Sequence, residues 1–208
     1  MILVLSGQSI HVESLSSPAL YLLDRGVTKL THSTSRVSLE RVDIDVRSSA
    51  DPPAKSRSHH IYDLRHHDTA PGGLASLPSY SPHYYIQKTS NRALGSYGIK
   101  KSRFRSQWKA LPLDVSGKNT DYGLAKYLQD GAAVFQYTKK NDTYEWLDEN
   151  NNSVAVEDKA EGCPQLLVTA ELQRDILDVL VGLWCCRLWQ QSADNTEPVN
   201  GGKMEEGK

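Results

Sequence analysis

The chain has 208 residues, enough to bury a core without disulfide bonds, and 38% of them are hydrophobic. This composition excludes a wholly disordered chain, and an odd count of three cysteines excludes a complete disulfide framework. The formal net charge of −1 conceals a basic stretch, residues 69–113, with seven Lys or Arg and no acid, followed by residues 114–208 with 9 basic and 17 acidic side chains. Such asymmetry bears on binding partners more than on fold.

The N-terminal residues, up to Gln8, have no basic flank and only four apolar residues after Met1, so they do not predict a secretory signal. Two of the three cysteines, Cys185 and Cys186, lie in an apolar run and are interpreted as small core side chains. We therefore expect a cytoplasmic or nuclear protein with reduced thiols, and peripheral attachment to a membrane stays open.

The first third of the chain shows short runs of strand type separated by turn residues. Three strands are predicted within Ile2–Glu13, Leu20–Leu30 and Arg36–Val46. In the third run the alternation slips between Leu39 and Val42, which is typical of a β-bulge, because one extra residue re-phases the side chains.

Two segments rich in Pro, Gly, Ser and Ala, residues 48–58 and 69–82, are predicted to be exposed loops. A strand is expected between them, at His59–His67. After the second loop, the sequence predicts a strand at His83–Lys88, a turn at Gly95–Gly98 and buried anchors within Arg103–Val115.

The strongest strand signal comes from four short runs with polar turns between them, at Ala133–Lys139, Thr143–Leu147, Ser153–Glu157 and Gln165–Ala170. Their close spacing leaves no room for crossover helices. The four runs therefore predict an antiparallel meander.

A helix is predicted over Glu171–Gln191, with Thr169 as a candidate N-cap. Apolar residues cover most of its circumference, and Asp178 falls on a narrow polar stripe. Because a surface helix is apolar on one side only, this helix is expected to be surrounded by other elements, with Leu180 and Trp184 almost fully buried.

The apolar part of this helix is interrupted by charges and shorter than the roughly 20 residues that cross a bilayer, so a membrane anchor is disfavoured. The remaining residues, 192–208, lack large apolar groups and are predicted to be a disordered tail. Residues 1–191 then form a single domain.

The Tyr144-Glu-Trp146 strand, the Asp/Asn-rich turn after it, the Ser153-Val-Ala-Val-Glu157 strand and the apolar helix with Val181-Gly-Leu-Trp184 together resemble the tubby-like superfamily over residues 1–191. That superfamily includes the tubby C-terminal, LURP-one-related and phospholipid-scramblase domains. The resemblance implies a mainly β fold, a closed antiparallel β-barrel around one hydrophobic C-terminal helix.

For function, the resemblance implies phosphoinositide or membrane-surface binding, as in tubby relatives, or lipid movement, as in scramblases. The chain departs from scramblases because it has no Pro-rich N-terminal region and no cysteine cluster outside the helix. No ligand residue of the superfamily can be placed on this sequence.

The segment His59–His67 contains four of the seven histidines. On a regular strand His60, Tyr62, Leu64 and His66 share one face, and two imidazoles six residues apart lie roughly 20 Å from each other. Adjacent histidines point to opposite faces. This spacing favours a polar strand over a metal site, so no metal and no cofactor is predicted.

The acid-free stretch supplies the candidate ligand-binding residues, which are Lys100, Lys101, Arg103, Arg105 and Lys109. Aromatic residues lie among them, and Lys and Arg donate to phosphate groups. The leading hypothesis is a non-enzymatic module that binds an anionic lipid head group or another phosphate-bearing partner. The alternatives are an enzyme or accessory protein with a small-molecule pocket at the barrel mouth, and a protein-interaction domain.

Overall fold

The computed structural model describes residues 1–44, 56–67, 76–102, 106–118, 122–141, 143–158 and 162–196. The described residues form thirteen β-strands, a short 3₁₀ helix at Val27–Lys29 and one α-helix, α1, at Arg174–Thr196. In chain order, the strands are β1 (Ile2–Ser6), β2 (Ser9–Val12), β3 (Ala19–Leu23), β4 (Arg36–Ile44), β5 (Ser56–His66), β6 (Tyr84–Lys88), β7 (Tyr97–Lys101), β8 (Gln107–Asp114), β9 (Lys126–Tyr127), β10 (Phe135–Lys140), β11 (Thr143–Leu147), β12 (Ser153–Asp158) and β13 (Gln165–Val168).

These strands form one antiparallel sheet that closes on itself. Neighbours along the sheet run from β10 through β13 to β1 and on to β8, and β8 pairs back with β10. Twelve strands thus make a closed barrel, with β9 added to the side of β8. The predicted fold class, a mainly β closed antiparallel barrel around one hydrophobic helix, is confirmed.

Helix α1 fills the barrel. Leu180 and Trp184 are fully buried, as the sequence predicts, and so are Cys185 and Cys186. The helix backbone comes close to the wall at Gly182, where an added Cβ would lie 3.1 Å from Cγ2 of Ile86 on β6. The apolar circumference of the helix is therefore matched by inward side chains of the strands around it.

The helix differs from its predicted bounds at both ends. It begins at Arg174 instead of Glu171 and runs through Thr196, beyond Gln191. The predicted disordered tail, 192–208, is therefore wrong for residues 192–196, where Ala193 is fully buried. Residues 197–208 lie outside the described part of the chain.

Among the N-terminal strands, the single strand predicted over Ile2–Glu13 is a hairpin, β1 and β2. Its turn contains Gly7 at a φ of +57°, a backbone conformation that is unfavourable for residues with a Cβ atom. The predicted turn at Gly95–Gly98 is wrong at its end, since β7 already begins at Tyr97. Gly95 and Gly98, three residues apart, gave the segment a turn-like composition that concealed this strand.

The predicted bulge is real but lies on the partner strand. In the pairing of β4 with β5, Leu39 lies opposite Tyr62 and Glu40 opposite His60, so Ile61 of β5 is the extra residue. Along β4 the inward-facing positions alternate regularly from Leu39 to Arg41, and both side chains are buried. Because Arg41 is charged, the apolar alternation in the sequence breaks at this position, although the strand itself does not.

The two predicted loops have different outcomes. Ser56–Ser58, at the end of the loop predicted over 48–58, belong to β5. The described part of the loop predicted over 69–82, residues 76–82, contains no strand or helix. Residues 48–55 and 69–75 lie outside the described residues.

Outside the barrel wall, a second small apolar cluster forms where β9 and the residues before it fold back over β6 and β8. Its buried members are Tyr85, Leu113, Ala125 and Tyr127. The Tyr127 hydroxyl donates to the Ile99 carbonyl oxygen at 2.7 Å, which fixes this flap to β7.

Candidate functional site

The structure divides the predicted basic residues between two sides of the barrel wall. Antiparallel pairing of β7 with β8 sets Lys100 opposite Lys109, and Lys101 opposite Trp108. Because side chains alternate along a strand, the first pair lies on the outer wall and the second pair faces inward. The two remaining candidates, Arg103 and Arg105, lie outside the described residues.

On the outer wall, Lys100 and Lys109 are both exposed. The ammonium nitrogen Nζ of Lys100 lies 4.9 Å from the centre of the Tyr127 ring, a cation–π contact. Like charges directly across a sheet repel, so this pair gains nothing from its own juxtaposition.

Lys101 instead extends into a cavity at the mouth of the barrel, beside the C-terminal turns of α1. The cavity encloses about 470 Å³. Its lining comes from the ends of β5, β6, β7 and β8, the loop before β4, and α1, and comprises His32, His66, His83, Tyr84, Ile99, Lys101, Trp108, Gln190 and Asp194.

One wall of the mouth cavity is a fixed stack of rings. The His66 imidazole lies on the Tyr84 ring with centroids 4.3 Å apart, and Trp189 meets Tyr84 edge-on at 5.5 Å. His32 joins this wall to the helix, since its Nε2 lies 3.3 Å from Asp194 Oδ1. Ring packing therefore fixes the shape of the cavity on this side.

The electrostatics of the cavity differ from one group to the next. Burial, together with the neighbouring His32, lowers the pKa of His83, so this imidazole is neutral at pH 7. The ammonium nitrogen Nζ of Lys101 lies 5.7 Å from the centre of the Trp108 ring, a cation–π contact. Among the described residues, no carboxylate forms an ion pair with Lys101.

A second cavity, of about 260 Å³, lies on the other side of Trp108. The Trp108 ring stacks on Tyr137 at a centroid distance of 5.1 Å, and the guanidinium carbon of Arg187 lies 4.4 Å from the centre of the Tyr144 ring. Both cavities are lined by Trp108, Gln190 and Asp194. Together they form one trough across the barrel mouth.

Deeper in the barrel, two charged residues of α1 have buried partners. Asp178, fully buried, accepts hydrogen bonds from the Tyr21 hydroxyl and from Arg41 Nη1, both at 2.7 Å. Nearer the mouth, Arg187 forms a buried ion pair with Glu157 of β12. Both positions have defined structural partners.

Sequence reasoning assigned Asp178 to a polar stripe and treated Arg187 as an interruption, and it missed the partners of both. The signal was present, because a charge in an otherwise apolar, surrounded helix requires a compensating group. What the sequence did not give was which strand supplies that group, since Arg41 and Glu157 lie far from the helix along the chain.

The prediction that His60 shares a face with Tyr62, Leu64 and His66 is wrong. The extra residue Ile61 re-phases β5, so Tyr62 and His66 point inward, whereas His60 lies on the outer wall with its Nε2 2.9 Å from Asp63 Oδ1. His66 reaches the mouth cavity. Among the residues that the structure describes, no group of three His, Cys, Asp or Glu could hold a metal ion.

Comparisons with protein-family models, with curated proteins and with solved structures find no significant match. In the described part of the chain, no helix combines the length and apolarity needed to cross a membrane.

Proposed function

We propose that this protein is a non-enzymatic binding module that holds an anionic group, such as a phosphate-bearing head group, in the mouth of its barrel. The observation that carries the proposal is the position of Lys101, whose ammonium group lines the mouth cavity without a carboxylate partner among the described residues. Lys101 is itself exposed, but it lies beside a concave wall, where a lysine gains more from an anion than it does on an open surface.

The rest of the lining suits such a ligand. Gln190 and the imidazoles of the cavity offer hydrogen-bond donors, and Trp108 offers an apolar face beside the lysine. A concave site with a few converging polar groups is the usual form of a small-ligand site. The proposal thus combines the predicted basic residues with the predicted barrel-mouth pocket.

We also propose the tubby-like superfamily as the family of this chain. The support is architectural: a closed antiparallel barrel with an apolar C-terminal helix inside it is the fold that the resemblance implies. An anionic lipid head group at the mouth would place this protein at a membrane surface.

The alternative function is an enzyme that uses the same cavity for a small molecule. The observation in its favour is the pairing of His32 with Asp194 on the cavity wall, because a carboxylate beside an imidazole is an arrangement used in acid–base catalysis. A substrate proton within reach of His32 would be required.

The test compares two neighbouring lysines. Binding of glycerol 3-phosphate and of vesicles containing phosphatidylserine would be measured for Lys101→Gln and for Lys100→Gln, a matched control on the opposite side of the same strand. We expect Lys101→Gln to weaken binding about tenfold or more, the effect of removing a charge-assisted hydrogen bond. Lys100→Gln should change binding less than about twofold, since Lys100 lies on the outer wall and does not line the cavity.

High salt should weaken the binding of the wild-type protein, because screening reduces charge contacts that remain open to water. If Lys100→Gln and Lys109→Gln weaken binding while Lys101→Gln does not, the outer wall is the binding surface and the proposal is wrong. Absence of binding to either probe at low salt would also contradict it.

A further inference from the structure

A separate cavity of about 280 Å³ lies on the outer wall of the barrel, between the ends of β5 and β6 and the flap that precedes β9. Its polar lining comprises Ser35, Arg65, His66, His67, Tyr85 and Gln87. His67 and His66 are consecutive residues, and His66 points inward to the mouth cavity. His66 lines both cavities, whereas Arg65 and His67 line this cavity and not the mouth cavity.

Arg65 is the principal charge in this cavity. On the outer face of the sheet it lies between Arg36 of β4 and Tyr85 of β6. Asp63, two residues before Arg65 on the same face of β5, is already engaged, since its Oδ1 lies 3.2 Å from Arg36 Nε and 2.9 Å from His60 Nε2. Arg65 is thus next to a second arginine and competes for a carboxylate that other cations hold.

The donors of Arg65 are only partly used. Its Nε donates to Gln87 Oε1 at 3.2 Å, which orients the guanidinium plane. The two terminal nitrogens form no hydrogen bond or ion pair with any residue that the structure describes. A half-buried guanidinium with two oriented, unused donors is the group that binds planar or tetrahedral oxyanions most effectively.

Next to Arg65, the Tyr85 hydroxyl and His67 Nε2 lie 3.1 Å apart. Burial and the charge of Arg65 lower the pKa of His67, and nearby His83 acts in the same direction. The positive charges near His67 therefore disfavour its protonated form. No carboxylate is among the described side chains that line the cavity.

We propose that the outer-wall cavity binds a tetrahedral oxyanion, either free phosphate or the phosphate group of a monoester, on the terminal nitrogens of Arg65. The Tyr85 and Ser35 hydroxyls supply further donors from the two sides of the arginine. This site is independent of Lys101, and its occupant compensates the charge that Asp63 leaves unpaired.

The test is an NMR titration of the His67 ring with inorganic phosphate and with phenyl phosphate. A bound oxyanion favours the imidazolium, so the pKa of His67 should rise when either probe binds. Binding of phosphate alone would support a free ion as the occupant. Binding of phenyl phosphate as well would support a phosphate group carried by a larger ligand.

Three variants make the test specific. Arg65→Gln should weaken phosphate binding about tenfold or more, and Tyr85→Phe, which keeps the ring and its packing, should weaken it several-fold. Arg36→Gln is the matched control, because Arg36 lies directly opposite Arg65 but pairs with Asp63. Lys101→Gln should leave phosphate binding at this site unchanged.

Equal loss of binding in Arg65→Gln and Arg36→Gln would indicate a diffuse effect of surface charge and would overturn the proposal. A His67 pKa that stays constant through millimolar additions of both probes would overturn it as well.

Discussion

The interior and the mouth of this barrel use charged side chains in opposite ways. Inside, Asp178 receives donors from Tyr21 and Arg41, and Arg187 pairs with Glu157, so each buried charge has partners built into the fold. At the mouth, Lys101 lies near the face of Trp108 and forms no ion pair with any described carboxylate. Charges satisfied within the fold serve stability, whereas a charge that keeps binding capacity at a cavity supports the proposed ligand site.

The largest expected effect is on the interior. Leu180→Asp puts an unpaired carboxylate at a fully buried position of α1, which costs more than about 4 kcal/mol and should prevent soluble expression. Leu167→Asp is the control, because Leu167 is among the exposed large apolar side chains. A folded Leu180→Asp protein with an unchanged melting temperature would contradict the enclosure of α1 by the barrel.

Asp178→Ala should be nearly as damaging, because it removes the buried acceptor that the Tyr21 hydroxyl and Arg41 Nη1 share, and leaves Arg41 only the less buried Asp43, 3.3 Å from its Nε. Denaturant unfolding should show a loss of about 3–5 kcal/mol in the free energy of unfolding. The triple variant Tyr21→Phe, Arg41→Met, Asp178→Leu removes all three polar groups and should regain most of that loss. If the triple variant recovers no stability, the three groups stabilise the fold by more than satisfying one another's buried charges and hydrogen bonds.

Glu157 makes the interior sensitive to pH. Burial raises the pKa of its carboxyl from 4.5 to about 7, although Arg187 and the indole N–H of Trp146 oppose the shift. The folded state then binds the proton more tightly than the unfolded state does, so stability should fall as pH rises from about 4.5 to 7. The loss amounts to about 3 kcal/mol.

This dependence is measured by unfolding the wild-type protein and Glu157→Gln across that pH range. The stability of the wild type relative to Glu157→Gln should decrease as pH rises, since the variant cannot titrate at this position. Glu149→Gln, at an exposed residue of the neighbouring turn, should leave the pH profile unchanged. A wild-type advantage that grows with pH would contradict the raised pKa.

The sequence predicts the strands of this molecule better than it predicts the site. The strands β10 to β13 were predicted within two residues at each end, because polar turns bound every run. Strand β7 was missed, since two glycines precede its only fully inward apolar residue, Ile99. Local pattern determined the strands wherever turn chemistry separated them.

The site was predicted only in part. The basic segment identified Lys101, but it gave Lys100 and Lys109 the same weight, because strand pairing decides which side of the wall each one faces. His32, His83 and Asp194 were not predicted at all. They reach the mouth cavity from separate parts of the chain, and only closure of the barrel brings them together.

The smallest effect on stability is expected at the end of α1. Removing residues 193–208 deletes the buried Ala193 and the Asp194 carboxylate that pairs with His32. We expect a loss of about 1 kcal/mol, which lowers the melting temperature by roughly 2–4 °C relative to a protein lacking only 197–208. Identical melting temperatures for the two truncated proteins would show that the last helical turn does not contribute.

The central claim, an anionic ligand in the barrel mouth, is tested most directly by the indole N–H signals of the four tryptophans. Glycerol 3-phosphate would be titrated into the labelled protein while these signals are followed by NMR. We expect the Trp108 signal to move with ligand concentration, because this ring separates the two mouth cavities, and the signals of the fully buried Trp146 and Trp184 to stay in place. Saturable binding that leaves Trp108 unmoved would contradict the claim.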